Sequence, residues 1–242
     1  MGLKPFWIRS SLMLCGLFVS ATVMYILIER ISFLDITTEK LFQNIQVLNV
    51  DRLPPADICL PYTYSKAGIV LERICLYDGP FQEDGTHDEV FSVGALIVRN
   101  TTNKTIFSLK IELYRGIETY IFVGNMIPPY SRVLIQENQR QPVLYNHFES
   151  YKVSVCNAPR QLKEIRVTSK GIDRVILSNE STDKIFDIIL YHKTYLPEED
   201  LYIGGKAYET RIPVIYPGQI MDIRPAYYIS SNSRIIGVFE DI

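Results

Sequence analysis

The sequence predicts an all-β body of two antiparallel sandwiches behind a single N-terminal transmembrane helix, on three observations. The first is an internal repeat: residues 93–114 and 172–193 follow one pattern, offset by 79 positions without a gap. Leu96-Ile97-Val98 runs into Asn100, a polar turn and Ile106; Val175-Ile176-Leu177 runs into Asn179, a polar turn and Ile185. A pattern that recurs at a fixed period marks a structural unit, so most of its residues are scaffold. The second is alternation. Phe107, Leu109, Ile111 and Leu113 occupy every second place, as do Phe186, Ile188 and Leu190, which lines one sheet face with apolar groups. Such one-sided burial favours antiparallel pairing. The third is an uncharged run from Ser11 to Ile28.

In chain order, residues 1–10 carry Lys4 and Arg9 and form a cytoplasmic tail. Residues 11–28 would span about 27 Å as a helix, close to the hydrocarbon thickness of a bilayer, and lipid leaves the amides no other partners. Glu29, Asp35 and Glu39 follow the span while the basic residues precede it, so residues 30–242 are expected outside the cell membrane. An uncleaved signal anchor fits best. Cleavage after Val19-Ser20-Ala21 would leave an apolar new terminus, and bulky Leu14 disfavours lipidation at Cys15. Residues 29–53 form a juxtamembrane helical stalk. Ile31, Leu34, Thr38, Leu41, Ile45 and Leu48 recur at heptad spacing, a stripe that either self-associates or lies on the protein's own body. Pro54-Pro55 ends any helix.

Residues 54–158 are expected to form the first sandwich and 159–242 the second. Strand-like runs cover 69–76, 91–98, 106–114, 119–123, 132–136 and 151–156 in the first. Pro128-Pro129-Tyr130-Ser131 precedes a strand in one copy and Tyr216-Pro217-Gly218-Gln219 in the other. The second copy is nine residues longer between its asparagine and that turn, and the excess is placed in a surface loop over residues 194–200.

The phrase of apolar strand, Asn, polar turn, alternating strand and Pro-Pro or Pro-Gly turn resembles immunoglobulin-like or fibronectin-type modules. With Tyr202-Ile203-Gly204-Gly205-Lys206-Ala207-Tyr208, residues 55–242 resemble uncharacterised membrane-anchored surface proteins of Firmicutes. The resemblance implies location and fold; its motifs carry no catalytic residues. The Cys-Trp-Cys core of antibody domains is missing, since Trp7 precedes the membrane run.

Net charge is −2 with dispersed Lys and Arg, which argues against nucleic acid as a partner. His87, His147 and His192 follow no metal or triad spacing, and His192, ending a strand, is expected at the surface or rim. No nucleotide, hydrolase or metalloprotease motif occurs, so neither an enzyme nor a cofactor is expected. Cys59, Cys75 and Cys156 leave three options open: a Cys59–Cys75 bridge, a Cys75–Cys156 bridge, or reduced buried thiols. Asp78, Glu83, Asp84, Asp88 and Glu89, with Gly79 and Gly85, form either a solvated loop or a calcium site. Asn100, Asn103 and Asn179 fit the glycosylation pattern, but turn-making explains the equivalent pair Asn100 and Asn179 better. The expected role is structural or protein-binding at the cell surface, through an exposed edge near Tyr195 and Tyr202. The alternatives are a carbohydrate- or wall-binding module or a subunit of a membrane complex.

Overall fold

Alternating apolar residues and frequent β-branched and aromatic side chains make strand the only regular structure among the described residues. The computed structural model describes Ala56–Asp57 and residues 68–241. The expected tail, membrane helix and stalk, and Cys59, lie outside the described residues. The strands are β1 (Ala56–Asp57), β2 (Ile69–Pro80), β3 (Glu89–Asn100), β4 (Ile106–Arg115), β5 (Glu118–Ile127), β6 (Arg132–Gln136) and β7 (Ser150–Asn157). They continue with β8 (Ile165–Lys170), β9 (Arg174–Asn179), β10 (Ile185–Leu196), β11 (Leu201–Ile215), β12 (Ile220–Ile223) and β13 (Ser233–Glu240).

The repeat is realised strand by strand. In the first half β2-β3-β6 are neighbours and face β5-β4-β7; in the second, β8-β9-β12 are neighbours and β11-β10-β13 stand in the equivalent places. Leu109, Ile111, Leu113 and Phe122 pack against Ile69, Leu96, Val98 and Ile135 in one core. Leu177, Ile188, Leu190, Ile212 and Val238 build the other.

Asn100 and Asn179 close the same loop in both halves. Asn100 Nδ2 donates to the carbonyls of Lys104 (2.8 Å) and Pro128 (2.8 Å), and its Oδ1 accepts from Thr102 N (3.0 Å). Asn179 Nδ2 donates to the carbonyls of Asp183 (2.9 Å) and Ile215 (3.2 Å), and its Oδ1 accepts from Ser181 N (2.9 Å). Both side chains are buried, which turn-making requires.

The two halves are not separate sheets joined by a linker. A seven-stranded sheet, β1-β2-β3-β6-β11-β10-β13, runs through both. Its splice is the parallel pairing of β6 with β11, Tyr202 opposite Val133 and Ile203 opposite Leu134. This pair departs from the antiparallel expectation, and its cause is the nine-residue excess. Instead of forming a loop over residues 194–200, the insertion lengthens the β10–β11 hairpin, and only Pro197 to Asp200 turn. Leu201 and Ile203 are apolar and fully buried, so the added strand docks on the first half instead of entering water. A third apolar cluster seals the contact: Met126 and Phe107 meet Ile189, Tyr191, Ala207 and Phe239. Residues 188–195 of β10 are therefore buried on both faces, and the two-residue alternation disappears there.

Candidate functional site

Polar side chains are drawn into the splice by a backbone irregularity. Between His192 and Thr194 the β10–β11 ladder shifts register: His192 is opposite Tyr208, but Thr194 is opposite Ile203. Residues 204–207 bulge out and lose their ladder partners, and buried amides and carbonyls cannot be left without others. Gly204, at φ +81, and Gly205 turn the chain there.

Side chains from both halves replace the ladder. Glu83, in the loop after β2, accepts from Gln136 N (2.8 Å), Gly205 N (2.7 Å) and Lys206 N (3.0 Å). Lys193 of β10, fully buried, donates to the carbonyls of Gly204 (2.9 Å) and Gly205. Ala207 N donates to Asn125 Oδ1 (2.6 Å). Gln136 Oε1 accepts from Gln82 N (2.8 Å), and Gln82 Nε2 donates to Thr194 Oγ1 (3.3 Å). The Gly205 peptide is the hub, with its N–H on a carboxylate from the first half and its carbonyl on an ammonium from the second. Burial pushes the Lys193 ammonium down to about 7, against the attraction of Glu83. Burial also raises the Glu83 carboxyl, opposed by the three N–H donors and Lys193. Donors converging on Glu83 fit an ionised carboxylate balanced by the lysine.

Beside this lock lies a stack of rings. Tyr208 is flanked by His192 (centroids 4.9 Å, planes 21° apart) and by His87 (5.5 Å, 16°). Tyr227 adjoins His87 at 4.3 Å and Tyr208 at 5.3 Å, while Tyr228 meets His192 edge-on at 5.3 Å. His192 is fully buried, not at the surface or rim, because its strand is covered on both faces. Among the described residues neither of its ring nitrogens has a hydrogen bond of proper geometry. Burial holds it down to about 4, with the Ala226 backbone opposing slightly. His87 is half-buried and also lowered by burial. His147 is exposed.

The acidic loop is neither merely solvated nor arranged as a cation site. Asp78 accepts from Ser92 N (2.5 Å), and Asp84 accepts from Thr86 N (2.9 Å). Arg140 bridges Asp84 (2.5 Å) and Asp88 (3.3 Å). With Glu83 committed to the bulge, Asp78 serves a backbone amide while Asp84 and Asp88 share Arg140. Among the described residues no group of three His, Cys, Asp or Glu could hold a metal ion.

Tyr195 and Tyr202 do come together (4.9 Å between centroids), but on a paired hairpin, not an exposed edge. Tyr195 is only 6% exposed, donates to Asp200 Oδ1 (2.6 Å) and is covered by Arg234 (4.0 Å). Tyr202 packs partly buried on the first core. Cys75 lies in the large sheet and Cys156 in β5-β4-β7, and they are not joined to each other. Burial pushes the Cys75 thiol up to about 12, in keeping with a small hydrophobe.

Sequence reasoning gave Lys193 and Gln136 no role, and Tyr208 only a place in the motif of residues 202–208. The one available signal was Gly204-Gly205 inside a strand pattern, which marks a bulge or a close backbone approach. No model of a known protein family matches the chain, and no curated protein is similar to it.

Proposed function

We propose that the chain is a single-pass, membrane-anchored extracytoplasmic protein whose two immunoglobulin-like sandwiches serve a structural or protein-binding role at the cell surface. One observation carries the reading: the uncharged run from Ser11 to Ile28, with Lys4 and Arg9 before it and Glu29, Asp35 and Glu39 after it. The spliced body supports it. Glu83, Lys193 and Arg140 are spent on holding backbone and loops, which suits a stiff module. Intact cells treated with a membrane-impermeant, lysine-reactive biotin ester test the reading. Labelling of Lys152 and Lys206 before lysis is expected; labelling that begins only after lysis overturns it.

A wall- or carbohydrate-binding role is the second reading, favoured by exposed Tyr227 beside half-buried Tyr208 and His87. Such rings offer faces to sugar C–H groups. Sedimentation with peptidoglycan, lost in Tyr227→Ser, would favour it over protein binding.

A further inference from the structure

The end of the first sandwich that carries the β4–β5 turn is apolar without a packing reason. That turn is Gly116-Ile117, with Gly116 at φ 57, and the Ile117 side chain is fully exposed (102%). Arg115 lies over the Tyr145 ring at 3.2 Å, and Glu149 N donates to the Tyr114 carbonyl (3.0 Å), so the loop of residues 137–149 stands beside the turn. That loop adds exposed Leu144 and Tyr145. Between Asn138 and Phe148 the one Lys, Arg, Asp or Glu is Arg140, and it is turned to Asp84 and Asp88. We infer that this end of the body rests on a lipid surface, with Ile117 and Leu144 among the acyl chains and Tyr145 at headgroup level. The inference rests on the membrane-anchored reading above and adds which face of the body meets the bilayer.

Two observations choose lipid as the occupant. The first is where the chain comes in. β1 is antiparallel to β2, with Ala56 opposite Ile74 and Asp57 opposite Arg73, so the chain enters β1 from the side of Leu76. Leu76 is opposite Gly94, whose N–H donates to the Gln141 carbonyl (2.8 Å), which makes this the end of Leu144 and Ile117. Residues 29–55 separate the uncharged run of Ser11 to Ile28 from β1, a tether that keeps this end near the bilayer. The second is the order of side chains. A branched aliphatic residue stands at the tip, with an arginine and the tyrosine it covers one position back. Bilayer interfaces have the same order, apolar groups deepest and amphipathic rings and long cations at the headgroups. Arg115 faces Glu118 (4.0 Å) and Glu149 is exposed nearby, so this end has no excess of positive charge among its described residues. The surface it fits is therefore zwitterionic, held by apolar insertion and not by attraction to anionic lipid.

The test uses the full-length chain in phosphatidylcholine vesicles whose acyl chains carry bromine near the headgroup, a short-range quencher of tryptophan emission. Trp7 is the sole tryptophan and adjoins the membrane run, so its quenching reads the anchor. Trp7→Phe/Ile117→Trp reads the apolar end. Trp7→Phe/Tyr130→Trp reads the opposite end, where Asn100 N donates to the Ser131 carbonyl (2.9 Å) and Tyr130 is exposed. The Ile117 variant should lose at least about half of its emission to bromine, and Leu144→Glu added to it should restore most of that loss. The Tyr130 variant should stay bright. Quenched Trp7 beside a bright Ile117 variant overturns the inference in favour of a protein partner, and equal quenching at the two ends overturns it as well; both leave the anchor standing. Bright Trp7 removes the anchored reading, and the inference falls with it.

Discussion

If Glu83 and Lys193 act as one unit through the Gly205 peptide, replacing either should cost far more than replacing an exposed charge. Lys193→Met removes the ammonium that serves the buried carbonyls of Gly204 and Gly205 and leaves Glu83 without its counter-charge. Glu83→Gln keeps the shape but leaves a fully buried lysine uncompensated and weakens three backbone hydrogen bonds. Breaking one side of a buried pair costs about 3–5 kcal/mol. The double variant Glu83→Gln/Lys193→Met has no isolated charge. Its loss should fall short of the sum of the single losses by about 2 kcal/mol, a coupling of the size that touching networks show. Urea unfolding measures all four proteins. With a slope of about 2 kcal/mol per molar, each single variant should lower the midpoint by roughly 1.5–2.5 M. Additivity to within about 0.5 kcal/mol would refute the idea that the two charges work together.

Four further outcomes follow from the same packing. Gly205→Ala places a Cβ against the Val123 carbonyl oxygen and 2.9 Å from Ile135 Cγ2, and should cost about 3 kcal/mol or more in thermal or urea unfolding. Asn179→Ala strips the loop of its buried amide and should cost about 2–3 kcal/mol by the same measurement, with Asn100→Ala at least equal. Tyr130 (φ 51) and Gly218 (φ 67) occupy equivalent turn positions, so Gly218→Ala should cost about 1 kcal/mol while Tyr130→Gly is neutral or stabilising. His192 titrates at about 4 in the folded protein against 6.5 unfolded, so the unfolded chain takes up the proton first as pH falls. The stabilisation present above pH 6.5 is therefore lost between 6.5 and 4, by about 3 kcal/mol, and urea midpoints at pH 7.5 and 4.5 should show it in wild type but not in His192→Phe.

Where a residue's environment is local, the sequence disclosed it. Asn100 and Asn179 were legible as turn-makers because every partner of each amide lies in the same loop or in the turn that closes the same half. Alternation located β4 over Leu109, Ile111 and Leu113, which share one core face, but it misplaced Phe107, which lies at the irregularity between Ile106 and Ser108 and packs in the third cluster instead. It misled at His192, whose strand is buried on both faces by a half some eighty residues away. Glu83 was visible only as one acid among five. Nothing in residues 78–89 indicates that this carboxylate would reach amides more than fifty and more than a hundred positions later. The insertion was found by counting, but its fate was not. Hydrophobic residues at 201 and 203 read equally as loop anchors until an open edge is available to receive them.

That open edge explains why the repeat produces one joint and not a growing array. An edge strand invites further pairing unless it is guarded. In the first half the edge is β6, where Leu134, opposite Ile97, is fully buried beneath the added strand. The equivalent edge of the second half is β12, where Asp222 stands opposite Ile176 in the same register. Asp222 pairs with Lys170 (2.8 Å) and Arg174 (3.1 Å), so any strand docking there would have to strip water from three charges. The first half in turn keeps a tight turn at Gly116-Ile117 where the second half has its long hairpin, so it has no strand to offer. Two substitutions of role, a hydrophobic edge for a charged one and a short hairpin for a long one, make the contact between the two halves close on itself instead of propagating.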